Sequence, residues 1–543
     1  MQINDDLYKI LGDLGFTGSI DDRMYKYLEG QGYFGALNNR LCLFFTAQKY
    51  TGSFTDQYAQ WKRLGYPLFS PLSLFANGEQ GVWYDPSDFT TMFQDSAGTT
   101  PVTAVEQPVG LLLDKSKGLE LSSELQPNGD FSSGATGWSP SGEWVIENNR
   151  AVKSATTTNS NLGTFVSVEA SKSYLVTFDI ISVTGSITVQ TASSSNATLA
   201  TFTSAGSVRC IITATSVLTG SRVIVFRAVA ASTAVIDNVS IKEIAGNHAT
   251  QPTSTKRPTL SARYNQLVGT TTLATQNVTT VATDYKLQFS GTGSINLTGS
   301  KTQTDIQAGN NTISGVTAGT LTLTVVGSVT NAQLVPISQL AIPYQQVTTS
   351  TNYDTTASNF PPYLKFDGVD DILNLPLVLF QATENHFIAV GASITNLAST
   401  DLFSMTNTAN LATGGLIKMG YSGGGGFLYA LRDNSNGLTL CDASAPVPST
   451  ATVGGRNVLS GRTVGNDHIL RVNTQNGTNR NVVINTTTLN VAGVGARPAS
   501  TNNTTISNQI TGNIYSVIAV RGTVSDENRL NTENYVNSKT KAY

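Results

Sequence analysis

Over most of the chain, apolar and polar residues change places every second position. Tyr174, Val176, Phe178 and Ile180 share one side of a stretch that carries Leu175, Thr177, Asp179 and Ile181 on the other. Tyr285, Leu287 and Phe289, and then Leu321, Leu323 and Val325, repeat the pattern between glycine-rich turns. A period of two predicts strands with one face buried. Further strands are predicted over 208–214, 222–229, 386–394, 415–432, 467–472 and 514–520.

The first part of the chain departs from this rhythm. Gly15-Phe16-Thr17-Gly18 returns as Gly32-Tyr33-Phe34-Gly35, and Asp21-Asp22-Arg23-Met24 returns as Asn38-Asn39-Arg40-Leu41, both at an offset of 17. The same offset carries Asp5, Leu7 and Tyr8 onto Asp22, Met24 and Tyr25. In each unit an Asp or Asn caps a short helix. Leu7, Ile10, Leu11 and Leu14, or Met24, Tyr27 and Leu28, form its apolar stripe, and Gly15 or Gly32 ends it. Helices of about nine residues are marginal alone, so the stripes must be covered. The following segment is dense in rings: Phe44, Phe45, Tyr50, Phe54, Tyr58, Trp61, Tyr66, Phe69 and Phe75. The expectation is that this head packs on a partner or on copies of itself; the other reading is a small helical subdomain closed on its own core. At the far end, Ser525 with Asp526 and Glu527 behind it, and Lys539 and Lys541 later, predict a terminal helix with a complemented dipole.

Composition narrows the class. The chain has 543 residues, enough for three or four domains at roughly 100 to 200 residues each. Charged residues make up 13%, about half the usual share, which favours hydroxyl and amide surfaces over charged ones. A net charge of -3 gives no steering toward phosphate backbones, so nucleic acid is not an expected partner. Cys42, Cys210 and Cys441 lie too far apart to suggest a ligand set or disulfide framework and read as small core residues. The N-terminus has no basic and apolar leader, and no run approaches the roughly 18 apolar residues of a membrane span. Neither a signal peptide nor membrane insertion is expected.

Three separated motifs carry a resemblance. They are Trp83-Tyr-Asp-Pro-Ser-Asp88 running on to Leu113-Asp-Lys-Ser116, then Gly246-Asn-His-Ala-Thr-Gln251 with Arg257-Pro-Thr-Leu260, and finally Phe366-Asp-Gly-Val-Asp-Asp371. Together they resemble a concanavalin-like, laminin-G-like lectin sandwich of the kind found in bacteriophage tail and virion proteins. The opening Asn128-Gly-Asp-Phe131 and closing Asp237-Asn-Val-Ser-Ile241 resemble the terminal strands of jelly-roll carbohydrate-binding modules.

The resemblance implies a mainly β, multidomain protein with a small N-terminal helical segment. Residues 1–80 would attach to a virion. Residues 81–118, 245–264 and 353–543 would form one discontinuous concanavalin-like domain. A jelly roll at 119–244 and a small β-sandwich at 265–352 would be inserted into it. The implied protein is a tail fibre, spike or decoration protein, assembled in the host cytoplasm and released on lysis. Its implied partners are other virion proteins, host-surface polysaccharide and further copies of itself, with a trimer expected because weak sugar sites gain from multivalency. Two alternatives stand: a purely structural virion protein, and a depolymerase of capsule polysaccharide.

Candidate chemistry is sparse. Trp138 and Trp144 could offer a ring to the apolar face of a sugar. Asn128, Asp130 and Asp237 either hold a structural calcium where the terminal strands meet or cap turns. Asp367, Asp370 and Asp371, the densest acidic cluster, read as turn capping, with calcium or glycan contact as the other reading. Glycoside hydrolysis needs two carboxyl groups about 5 to 9.5 Å apart. No Glu-x-Asp-x-Glu strand triplet occurs, and Glu143 and Glu147 would stand about 13 Å apart on a strand. His248, His386 and His468 have no cysteine or nucleophile beside them in sequence. Ser422-Gly-Gly-Gly-Gly-Phe427 lacks the Lys-Ser or Lys-Thr of a phosphate loop and reads as a hairpin turn. An enzyme is not expected.

Overall fold

A computed structural model describes residues 11, 19–30, 36–47, 53–63, 69–191, 198–214, 216–220, 223–337, 342–356, 359–395, 398–422, 426–434, 437–442, 455–500 and 505–543. The chain divides into two compact units, Met1–Gly78 and Glu79–Tyr543.

In the first unit the repeat sets the helices. Helices α1 (Ile20–Gly30), α2 (Leu37–Ala47) and α3 (Phe54–Arg63) begin 17 residues apart. The predicted helix on Leu7 to Leu14 lies, apart from Leu11, outside the described residues. The caps differ from the expected Asp or Asn. Ser19 Oγ accepts the backbone N–H of Asp22, whose carboxylate accepts in return from Ser19 N at 3.1 Å. Ser53 and Asp56 repeat this capping box two periods later. Replacing both serines with alanine is expected to cost about 0.5 to 2 kcal/mol per helix and to lower helical circular dichroism at constant fold elsewhere; unchanged helicity would show that burial alone holds these helices.

Five rings of the aromatic segment pack within the unit, and Tyr50 and Tyr66 lie outside the described residues. Phe44, Phe45 and Trp61 are fully buried together with Met24, Leu28 and Leu41, and Phe54 and Tyr58 pack against them. Phe45 and Trp61 meet edge to face at 5.3 Å. These rings form a core within the unit, as in the reading of a small helical subdomain closed on itself.

The second unit is built of antiparallel sheets. One has eight strands. Thr259–Ser261, Tyr363–Asp367, Thr511–Arg521, His386–Ile394, Arg456–Val464, Asp467–Val472 and Gln475–Asn481 lie side by side, and Gly81–Tyr84 also pairs with Thr511–Arg521. A nine-stranded sheet runs from Met92–Phe93 through Leu111–Leu112, Ala249–Thr250, Leu373–Asn374 and Val491–Val494 to Thr400–Thr406, Leu416–Ser422, Gly426–Arg432 and Leu438–Asp442. The two sheets share one core, in which Val82, Ile388 and Val390 meet Phe403, Met405 and Met419. Strand pairs therefore join residues from near 81, 111, 250, 260 and 363 onward across two long intervening stretches. Ser422 pairs with Gly426, so the strands Leu416–Ser422 and Gly426–Arg432 are adjacent and antiparallel, and residues 423–425 lie outside the described residues.

Helix α4 (Asp526–Thr540) lies on the outer face of the eight-stranded sheet, capped by Ser525 and ended by Lys541 in the left-handed region. Its Glu533, 1% exposed, accepts from Ser460 Oγ at 2.6 Å and Arg471 Nε at 2.9 Å. With the sandwich core on one side and α4 on the other, the strand His386–Ile394 is buried at every position and shows no alternation.

The stretch after residue 119 forms two five-stranded sheets around a separate core that includes Phe131, Trp138, Trp144, Phe178 and Phe226. Its ends meet: Leu121 bridges Ile244, and Leu125 N donates to Ile241 O at 2.9 Å. The module is also cemented to the larger sandwich. Ile211 and Ile244 are buried against Phe93, Leu111 and Leu113, and Ile211 N donates to Ala97 O at 2.6 Å.

The third body is a five-stranded sheet folded on itself around Tyr285, Leu287, Ile295 and Leu323. One long strand, Thr283–Gly299, serves both halves: residues 285–291 pair with Val329–Pro336 and residues 294–299 with Gly319–Val326. The change of partner happens at Gly291 and Gly293, where a Cβ would stand 2.2 Å from Ser328 O and 2.3 Å from Val326 O. No other residue allows that close crossing.

Candidate functional site

The distinctive motifs are spent on holding the discontinuous sandwich together. Asp114 is fully buried and accepts four hydrogen bonds, from Trp83 N, Ser116 N, Ser116 Oγ and Asn247 N, at 2.7 to 2.8 Å. Burial raises its pKa, and those bonds oppose the rise. His248 Nδ1 accepts from Asp114 N at 2.9 Å. Asp85 receives Lys115 and Lys539 at 3.5 Å and the Tyr535 hydroxyl at 2.9 Å. Burial would raise its pKa, but the two ammonium groups, with bonds from Ser87 and Tyr535, hold it well below the usual carboxylate range. Arg257 donates to three backbone carbonyls, those of Gln94, Gln251 and Pro252.

The aromatic candidates are interior residues. Trp138 and Trp144 are 3% and 2% exposed. Trp138 packs on Phe131 at 4.8 Å and donates its indole N–H to Asn128 O, while Trp144 donates to Ser160 O at 3.2 Å. Neither presents a face for stacking, so both are corrected from sugar platforms to core rings. The sequence could not separate the two roles, since a buried and an exposed tryptophan look alike in it.

The candidates Asn128, Asp130 and Asp237 each have local work. Asn128 donates to Gly134 O and Thr136 O and accepts from Ser133 N. Asp130 accepts from Ser132, and Asp237 lies 3.6 Å from Arg150. Asp367, Asp370 and Asp371 do come together, with carboxylate oxygens within 4.8 Å of one another. Those are hard donors of the kind calcium takes. The hydrogen bonds, however, are those of a capped turn: Asp371 Oδ2 accepts from Asp367 N, and Asp367 Oδ1 from Val369 N, around Gly368 at φ 81°. Burial pushes the Asp371 carboxyl up to about 6, against the bond from Asp367 N, and the neighbouring charges of Asp367 and Asp370 add to it.

The histidines are structural as well. His386 Nδ1 faces Glu384 O at 2.6 Å and must carry the proton there, so Nε2 accepts from the Tyr429 hydroxyl. Thr463 Oγ1 lies 2.7 Å from that hydroxyl and 3.0 Å from His468 Nδ1. Of the cysteines, Cys210 and Cys441 are buried as expected and Cys42 is exposed, contrary to a core role. No helix among the described residues is long and apolar enough to cross a membrane.

What sequence reasoning missed is a cleft of about 240 Å³ where the large sandwich meets the third body. The sandwich contributes Tyr363, Ser393, Thr395 and Asn513, the third body contributes Thr279, Val281 and Pro336, and the connecting segment contributes Arg263, Tyr264 and Gln266. The junction is firm. Tyr264, Tyr363, Tyr515, Phe360 and Tyr353 form an aromatic cluster beneath it, and the buried Asn265 side chain donates to Ala332 O and accepts from Leu334 N. Hydroxyl, amide and guanidinium groups line the cleft, and among the described residues no carboxylate does.

No protein-family model matches the chain, and no curated protein matches it. Solved structures similar to parts of it include carbohydrate-binding and receptor-binding domains. The carbohydrate-binding module of the Ruminococcus gnavus IT-sialidase, bound to α2,3-sialyllactose, is 16% identical, over 28% of this chain and 83% of that one, with a TM-score of 0.22. Domain 4 of an extracellular arabinanase from Geobacillus stearothermophilus, in complex with arabinotriose, is 11% identical over 31% and 74%, with a TM-score of 0.24. The binding domain of botulinum neurotoxin serotype D is 15% identical over 37% and 48%, also at 0.24.

Proposed function

We propose that this protein is a glycan-binding adhesin of a bacteriophage virion, attached through its N-terminal helical unit and displaying its β bodies to host-surface polysaccharide. The observation that carries the binding part is the junction cleft. It is walled by two firmly joined β bodies and lined with groups that exchange hydrogen bonds with sugar hydroxyls. The absence of a carboxylate from its lining supports binding over hydrolysis, because a glycosidase needs a carboxyl pair at the bond it breaks. The virion setting is supported by the motif pattern of residues 83–116, 246–260 and 366–371. Multiple copies on a particle would turn weak single sites into firm attachment.

The test is the full chain applied to arrays of lipopolysaccharide, capsule and cell-wall glycan. Retention of the protein on at least one polymer, with no new reducing ends after incubation, is expected. A blank array would favour a bridging role among virion components, and new reducing ends would favour a depolymerase.

A further inference from the structure

We infer that the junction cleft takes an acidic monosaccharide unit, a uronic acid or another carboxylated sugar, with Arg263 on its carboxylate. This rests on the glycan-binding reading and narrows it. Among the described residues Arg263 is the one charged residue in the lining, and no acid lies in the wall to neutralise it. Its guanidinium is held from behind: Nε donates to Asn265 O at 3.2 Å, and Nη2 to Gln266 O at 2.9 Å and Leu267 O at 3.5 Å. Nη1 has no protein acceptor and no ion-pair partner among the described residues. A guanidinium fixed by backbone carbonyls with two N–H groups to spare is prepared for an incoming carboxylate, since little ordering remains to be done on binding.

A second observation supplies the opposite chemistry. The hydroxyls of Ser393 and Thr395 and the amide of Asn513 stand in the same wall and can accept from sugar hydroxyls. A cation site beside such acceptors matches a hydroxy-acid better than a neutral sugar, which leaves the guanidinium without a counter-charge, or a fully deprotonated anion such as sulfate, which brings no donor. The volume sets the size: about 240 Å³ is below the roughly 300 to 1,000 Å³ of sites for larger ligands, so one ring enters and the rest of a polymer lies outside.

The test compares glucuronic and galacturonic acid oligosaccharides with their neutral glucose and galactose counterparts by ligand-observed NMR on the full chain. Acidic oligosaccharides are expected to bind at least tenfold more tightly. Arg263→Gln should remove that margin, and Thr279→Trp, an exposed rim position that leaves the backbone contacts of Arg263 intact, should block acidic ligands while thermal unfolding stays unchanged. If Arg263→Gln unfolds, Thr279→Trp decides alone. Equal binding of neutral sugars, lost in Thr279→Trp, would overturn the acid preference and leave the glycan reading standing. Binding untouched by both variants would overturn the site, and no binding of any sugar would overturn the glycan reading with it.

Discussion

Asp114→Ala is expected to destabilise the large sandwich by about 3 to 5 kcal/mol, the usual cost of breaking a buried, fully engaged charged group. The carboxylate has no cation beside it; it is balanced by three backbone N–H groups and one hydroxyl. Alanine would leave those donors in a dry interior, at about 1 to 3 kcal/mol each before relaxation. The position matters as much as the count. Trp83, Ser116 and Asn247 belong to pieces of the sandwich that the chain reaches before and after the long insert, and Asp114 is where they are tied. Asp114→Asn keeps the shape, but whichever oxygen its NH2 replaces then faces at least one backbone N–H donor, so part of the loss should remain. Differential scanning calorimetry, which separates the transitions, reads the effect; a sandwich transition within error of the parent would show that strand pairing alone holds the pieces together. Asp114 ties pieces packed on the Val82–Phe403 core rather than on the Phe178 core, so the change should appear mainly in the sandwich transition.

The parts of this molecule that were legible in its sequence are those with one dry and one wet face. Tyr174, Val176, Phe178 and Ile180 alternate in sequence and are buried in the structure, as are Tyr285, Leu287 and Phe289. His386–Ile394 was read as a strand with the observed bounds although it does not alternate, because α4 covers its second face. Helix α3 was readable and overlooked: Phe54, Tyr58 and Trp61 recur at helical spacing behind Ser53-x-x-Asp56, which repeats Ser19-x-x-Asp22 at twice 17. The cleft could not have been found in advance. Its lining comes from short stretches near 263, 279, 336, 363, 393 and 513, and only strand register brings those together. Trp138 and Trp144 show the reverse error, in which residue type suggested a role that packing denies.

Acid should weaken this fold well before most carboxylates titrate. His386 and His248 are fully buried, and burial pushes their pKa values down to about 3 and about 4; His468 moves the same way. An unfolded histidine titrates near 6.5. Above that value the rings are neutral in both states and contribute nothing to the pH dependence. As pH falls below it, the unfolded chain takes up protons that the folded interior refuses, so stability drops at up to about 1.4 kcal/mol per pH unit for each ring. By pH 5 the rings of His248 and His386 together account for about 4 kcal/mol. The cause is visible around His386: Phe380 is stacked on it at 4.4 Å, Glu384 O and Tyr429 fill its two nitrogens, and no carboxylate bonds to it to stabilise a charge. Asp371 works in the opposite direction, since a carboxyl raised to about 6 binds its proton earlier when folded and returns part of the loss between pH 6 and 4. Denaturant midpoints measured from pH 7.5 to 4.5 should therefore fall, and fall more steeply in Asp371→Asn. A flat profile down to pH 5 would mean that these rings accept protons inside the fold, and that the hydrogen-bond chain from His386 through Tyr429 and Thr463 to His468 rearranges to hold them.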